Sequence, residues 1–203
     1  MPPKGGGMES TFMKESSTAI TSGKSRTQQI AMIGLMTAVT CILGPLSVPL
    51  PFSPVPITLT NLAIFLSVYI LGLKDGTISL LVYLALGTAG LPVFSSFSGG
   101  LGKLAGPTGG YLVGFIFLAL IHGFLMERFE GNAIAAVAGM VLGMAVCYLF
   151  GTAWLGWQMN LSFPAALGIG VLPYLPGDAV KIIAAALAGP KLRSALLRVR
   201  SQG

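Results

Sequence analysis

Apolar positions in this chain come in six long runs, and charged positions fall almost entirely between them: 30–48, 57–73, 77–94, 111–126, 133–156 and 163–189. Several approach the ~20 residues that a helix needs to cross ~30 Å of hydrocarbon. The shorter ones allow tilt, local thinning or breaks lined by protein. None alternates strictly between apolar and polar, which excludes a membrane barrel. The pattern predicts an all-α integral membrane protein, a bundle of six transmembrane helices.

Composition supports that reading. Of 203 residues, 54% are apolar and 9% charged, against about 25% charged in ordinary soluble domains. The mean hydropathy is +0.83. Residues 1–26 are rich in Ser, Thr, Gly and Lys and lack the apolar stretch of a signal peptide, so they read as a disordered cytoplasmic tail. The membrane domain is expected over 27–190, with a basic cytoplasmic tail over 191–203.

The net charge of +6 does not point to nucleic acid, because the basic residues sit where membrane orientation needs them. Lys4, Lys14, Lys24 and Arg26 precede the first run; Lys191, Arg193, Arg198 and Arg200 follow the last. Placing both termini in the cytoplasm puts Lys74 and Arg128 inside as well and leaves Lys103 alone outside. Cys41, Cys147 and the single His122 lie inside apolar runs. They read as packed side chains, with no metal-ligand spacing.

Two connections on the expected outer side are unusual. "PLSVPLPFSPVPIT" carries five prolines in fourteen residues and is expected to be stiff, extended and non-helical. "GLPVFSSFSGGLGKLAGPTGGYLVG" offers glycines, two phenylalanines and several hydroxyls. Both are too apolar for solvent-exposed connections and read as a lid folded back over a pocket.

Motifs for catalysis are missing. "SGKS" at 22–25 has Thr18 where a phosphate-binding loop needs glycine, and no strand precedes it. This chain is therefore not expected to hydrolyse ATP by itself. "GGLGKLAG" has neither the strand nor the helix of a dinucleotide site. There is no HExxH and no GxSxG, so an enzyme is not expected. Of six acids, Glu9 and Glu15 fall in the tail, and Asp75, Glu127 and Glu130 in cytoplasmic turns. That leaves Asp178, three residues before Lys181 in "PYLPGDAVK".

Pro176 and Gly177 are expected to break the sixth run, with a helix restarting near Asp178. Two readings of the pair are open. One is an acid in a first helical turn, tied to a lysine at i+3 for structural reasons. The other is a buried charged pair kept for binding a small ligand with amide-type donors and acceptors. In that second reading Thr58, Thr60 and Asn61 could face the same pocket. Gly34 and Ala38 make a small-residue face on the first run, suited to packing within the chain or to docking another membrane subunit.

"PLPFSPVPITLTNLAIFL", "LGTAGLPVFSSFSGGLGKLAGPTGGYLVGF" and "PYLPGDAVK" together resemble the BioY family, the biotin-binding S components of energy-coupling factor (ECF) transporters. The resemblance runs from about residue 27 to 190. It implies a six-helix protein that captures biotin from outside and works with a transmembrane scaffold subunit and two ATP-binding subunits, which use the ATP. It also implies ligand binding by Asp178 and Lys181 and a pocket lined by Ser96, Phe97, Gly106 and Tyr111. Scaffold docking would fall on Gly34 and Ala38, although that element is usually alanines. Thr60 stands where family members often have Gln. A stand-alone secondary transporter is the alternative, but the sequence shows no convincing internal repeat.

Overall fold

The computed structural model describes residues 26–202. The expectation for the N-terminal tail therefore lies, apart from Arg26, outside the described residues. The described chain is mostly helical. Helix α1 spans 26–43, followed by strands β1 (Ser47–Leu50) and β2 (Ser53–Thr58). Then come α2 (Thr60–Thr88), a 3-10 turn at Ser95–Phe97, α3 (Leu101–Ala105), α4 (Gly109–Arg128), α5 (Ala133–Met159), α6 (Phe163–Gly170) and α7 (Leu175–Gln202).

The all-α expectation needs correction at the proline-rich stretch. It forms an antiparallel hairpin, with Ser47 opposite Thr58, Val48 opposite Ile57 and Leu50 opposite Ser53. A two-stranded ribbon consists of edges only, so prolines without N–H donors cost it little.

Helix α2 is two arms rather than one rod. Gly72 has φ +86° and ψ −177°, a conformation open to glycine but not to residues with a Cβ. The arms fold together so closely that a methyl on Gly76 would meet Val68 Cα at 2.7 Å. The Leu73 N–H freed at this turn donates to Glu127 Oε1 on α4, at 3.1 Å. The turn thus precedes "KDG", and Lys74 and Asp75 open the second arm.

Among the described residues, α2, α4 and α5 are long and apolar enough to cross a membrane. A fourth span is added if α6 and the first part of α7, bent by 55° at their junction, count as one. Helices α4 and α5 form the tightest pair. Gly114 faces the Cys147 backbone and Gly143 the Leu118 backbone, each near enough that an added Cβ would sit 2.9 Å away. Small residues let helices approach like this where lipid supplies no hydrophobic drive. The core runs through Phe65, Tyr83, Leu118, Met140 and Leu155, all buried. His122 is fully buried, its ring 6.0 Å from those of Phe65 and Tyr69.

Candidate functional site

The break in the sixth apolar run falls slightly earlier than expected. Helix α6 ends at Gly170 and α7 begins at Leu175, so Pro176 sits in the first turn, where its missing N–H has no helical partner to lose. The Asp178 N–H donates to Tyr174 O at 2.8 Å, and the i,i+3 spacing puts Lys181 beside Asp178 on one side of α7. That side faces inward: Asp178 is 5% exposed and Lys181 9%.

A buried ion pair is unfavourable unless its remaining hydrogen-bonding positions are filled, and here most of them are. Lys181 Nζ lies 2.8 Å from Asp178 Oδ1 and donates to Thr58 O, at the end of β2, at 2.6 Å. Asn61 Nδ2, in the first turn of α2, donates to the same Oδ1 at 2.7 Å. Tyr148 Oη, from α5, donates to Oδ2. The carboxylate thus takes three donors, of the ~four it can accept.

This cluster forms part of the wall of a cavity of about 630 Å³, counting its open mouth. Apolar wall comes from Val55, Leu112, Phe115 and Met144. Strand β2 closes part of the cavity and is held by Tyr174, whose Oη donates to Ser53 Oγ at 2.8 Å and contacts Val55 O.

Of the residues expected at the site, Asp178, Lys181 and Tyr111 line this cavity, as do Thr58, Thr60 and Asn61. Tyr111 Oη donates to Gly170 O at 2.9 Å, tying α4 to the end of α6. Ser96, Phe97 and Gly106 are not among the residues that line it. Ser96 instead joins the glycine-rich loop to the hairpin, with its N–H and its Oγ both 2.9 Å from Ser47 Oγ. Phe97 is 67% exposed, on a left-handed backbone at φ +54°. Gly106 O accepts from Trp154 Nε1 at 2.9 Å. Ser95, Lys103 and Thr108 are the residues of that loop that reach the cavity.

Sequence reasoning missed Tyr148, Tyr174, Cys147 and Met144. The signal available was helical spacing: Met144, Cys147 and Tyr148 stand three and four apart, on one face of α5. Gly34 and Ala38 are both exposed on α1, and a methyl on Gly34 would touch nothing within 4 Å.

The fold and cavity define a membrane-embedded helical binding protein with an enclosed polar pole. The chain matches the model of the BioY family over residues 13–198, and it belongs to that family. It is 39% identical over 166 residues to the biotin transporter BioY of Thermotoga maritima, covering 82% of this chain and 96% of the relative. It is 37% identical over 172 residues to the biotin transporter BioY of Rhizobium etli, covering 80% and 91%. Among solved structures it resembles the crystallised S-component for biotin from an ECF-type ABC transporter. That match has a TM-score of 0.79 and 32% identity, over 84% of this chain and 93% of the other.

Proposed function

We propose that this chain is the substrate-capture subunit of an ECF-type importer and that it binds biotin in the cavity headed by Asp178 and Lys181. The observation that carries the reading is the pole itself: a carboxylate and an ammonium, both buried, facing an otherwise largely apolar cavity in a chain of the BioY family. The ureido ring of biotin presents two N–H donors and a carbonyl acceptor. Asp178 accepts from the ring, Lys181 and Asn61 donate to it, and the bicyclic body lies against Leu112, Phe115 and Met144.

In this reading the chain crosses the cell membrane six times. The crossings are α1, the two arms of α2, α4, α5, and α6 with α7, and both termini are cytoplasmic. The back-to-back packing of the α2 arms at Gly76 and Val68 supports counting them separately. The hairpin and the glycine-rich loop act as the lid, opening outward. The exposed face at Gly34 and Ala38 docks the transmembrane scaffold, whose two ATP-binding partners supply the energy. This chain catalyses no reaction of its own.

The test is uptake of labelled biotin by cells without their own importer. Expressing this chain with a scaffold and its ATP-binding subunits should restore uptake that depends on ATP hydrolysis. Equal uptake by the chain alone would favour a stand-alone secondary transporter.

A further inference from the structure

Three charged side chains line the cavity: Asp178, Lys181 and Lys103. One carboxylate faces two ammonium groups, so the cavity carries one uncompensated positive charge. Lys181 is committed, at 2.8 Å from Asp178 and 2.6 Å from Thr58 O. Lys103 is not: among the described residues no acid lies within ion-pair distance of it. The other described acids are engaged elsewhere or far along the chain, Asp75 by Gln29 at 2.7 Å and Glu127 by the Leu73 N–H.

A lysine on a connecting loop ordinarily extends its ammonium into water. Lys103 instead is half-buried against the cavity, and desolvation holds its pKa below the ordinary lysine value. Its backbone is held as well. The carbonyls of Ala105 and Gly106, just past it, accept from Gln158 and Trp154 of α5. The charge is therefore delivered to the cavity by a fixed element. It is also the one basic residue that the inward bias of Lys and Arg leaves on the outer side.

We propose that Lys103 is the anion-recognising end of the cavity: the ligand carries a carboxylate that pairs with Lys103 while its neutral polar head meets Asp178. This rests on the biotin-capture reading and adds to it an orientation and a ligand class, a small apolar body with a neutral hydrogen-bonding head and an anionic tail. A charge-assisted hydrogen bond of this kind strengthens binding by about tenfold or more.

The experiment compares biotin with biotinamide, its neutral amide, by calorimetric titration of the full detergent-purified chain and of Lys103→Met and Lys103→Arg. Size-exclusion profile and melting temperature verify that each variant is folded. The expected result is that Lys103→Met weakens biotin by about tenfold and leaves biotinamide within about twofold, while Lys103→Arg keeps most of the affinity for biotin. Equal weakening of both ligands, or no weakening of either, overturns the inference and leaves biotin capture standing. A folded wild-type chain that binds neither ligand overturns the capture reading and the inference with it. Should Lys103→Met not fold, Lys103→Arg against Lys103→Gln gives the same comparison.

Discussion

Asp178→Asn perturbs the central contact without changing its shape. The wild-type carboxylate accepts from Asn61 and Lys181 on one oxygen and from Tyr148 on the other. An asparagine amide offers one acceptor and an NH₂ group, so it faces either two donors or one with a donor of its own. Lys181 then keeps Thr58 O as its remaining protein partner among these contacts. Breaking a fully buried ion pair by removing one member costs roughly 3–5 kcal/mol. The side chains here are 8% and 11% exposed toward the cavity, and an effective dielectric nearer 20 moderates the loss, to about 2–4 kcal/mol. For ligand binding, one charged acceptor becomes neutral, about 1.5–3 kcal/mol, or roughly 10- to 150-fold in Kd.

Thermal unfolding in detergent reads the first quantity and calorimetric titration with biotin reads the second. Adding Lys181→Met removes the orphaned ammonium, so the double variant should lose less stability than the sum of the two single ones. Additive losses would show that the pair is not coupled. A folded Asp178→Asn variant that binds biotin within threefold of wild type would refute the role assigned to this carboxylate.

Other expectations follow from the same contacts. Tyr148→Phe removes one of three donors to Asp178 and leaves the ring in place; it should weaken biotin by about tenfold in the same titration, and unchanged binding would remove Tyr148 from the site. Leucine at both Gly34 and Ala38 adds bulk on an exposed face where Gly34 has open space. That variant should bind biotin normally when purified alone, yet fail to copurify with the scaffold subunit and fail in uptake. Loss of binding by the isolated variant would place the damage inside the fold instead.

Much of this molecule is legible in the sequence because a membrane span must be apolar over its whole length. The runs at 111–126 and 133–156 anticipate α4 and α5 to within three residues at either end. Asp178 and Lys181 stand out for the same reason, since charges within apolar runs are rare and expensive. The hairpin was not legible. Its prolines announce an extended backbone, but strand pairing depends on what lies opposite, as Val48 does to Ile57. The position of the turn in α2 was not legible either. "KDG" is the more polar and turn-like stretch, whereas the pivot is Gly72, selected by its φ and by the Glu127 acceptor waiting on α4.

Within the site, tyrosine was the blind spot. Tyr148 in a long apolar run looks like core, and its hydroxyl gains significance only when α5 brings it to a carboxylate thirty residues away in sequence. The glycine-rich loop shows the same limit: its composition points to the cavity, but which of its side chains reach it depends on a backbone path that turns left-handed at Ser96 and Phe97, and Ser95 is the serine that lines it.

The most direct measurement is calorimetric titration of the detergent-purified chain, with no partner subunit present, against biotin, thiamine and riboflavin in turn. The account predicts one-to-one binding of biotin and no heat from the other two. A folded chain that binds none of them, or that prefers thiamine or riboflavin, would contradict it.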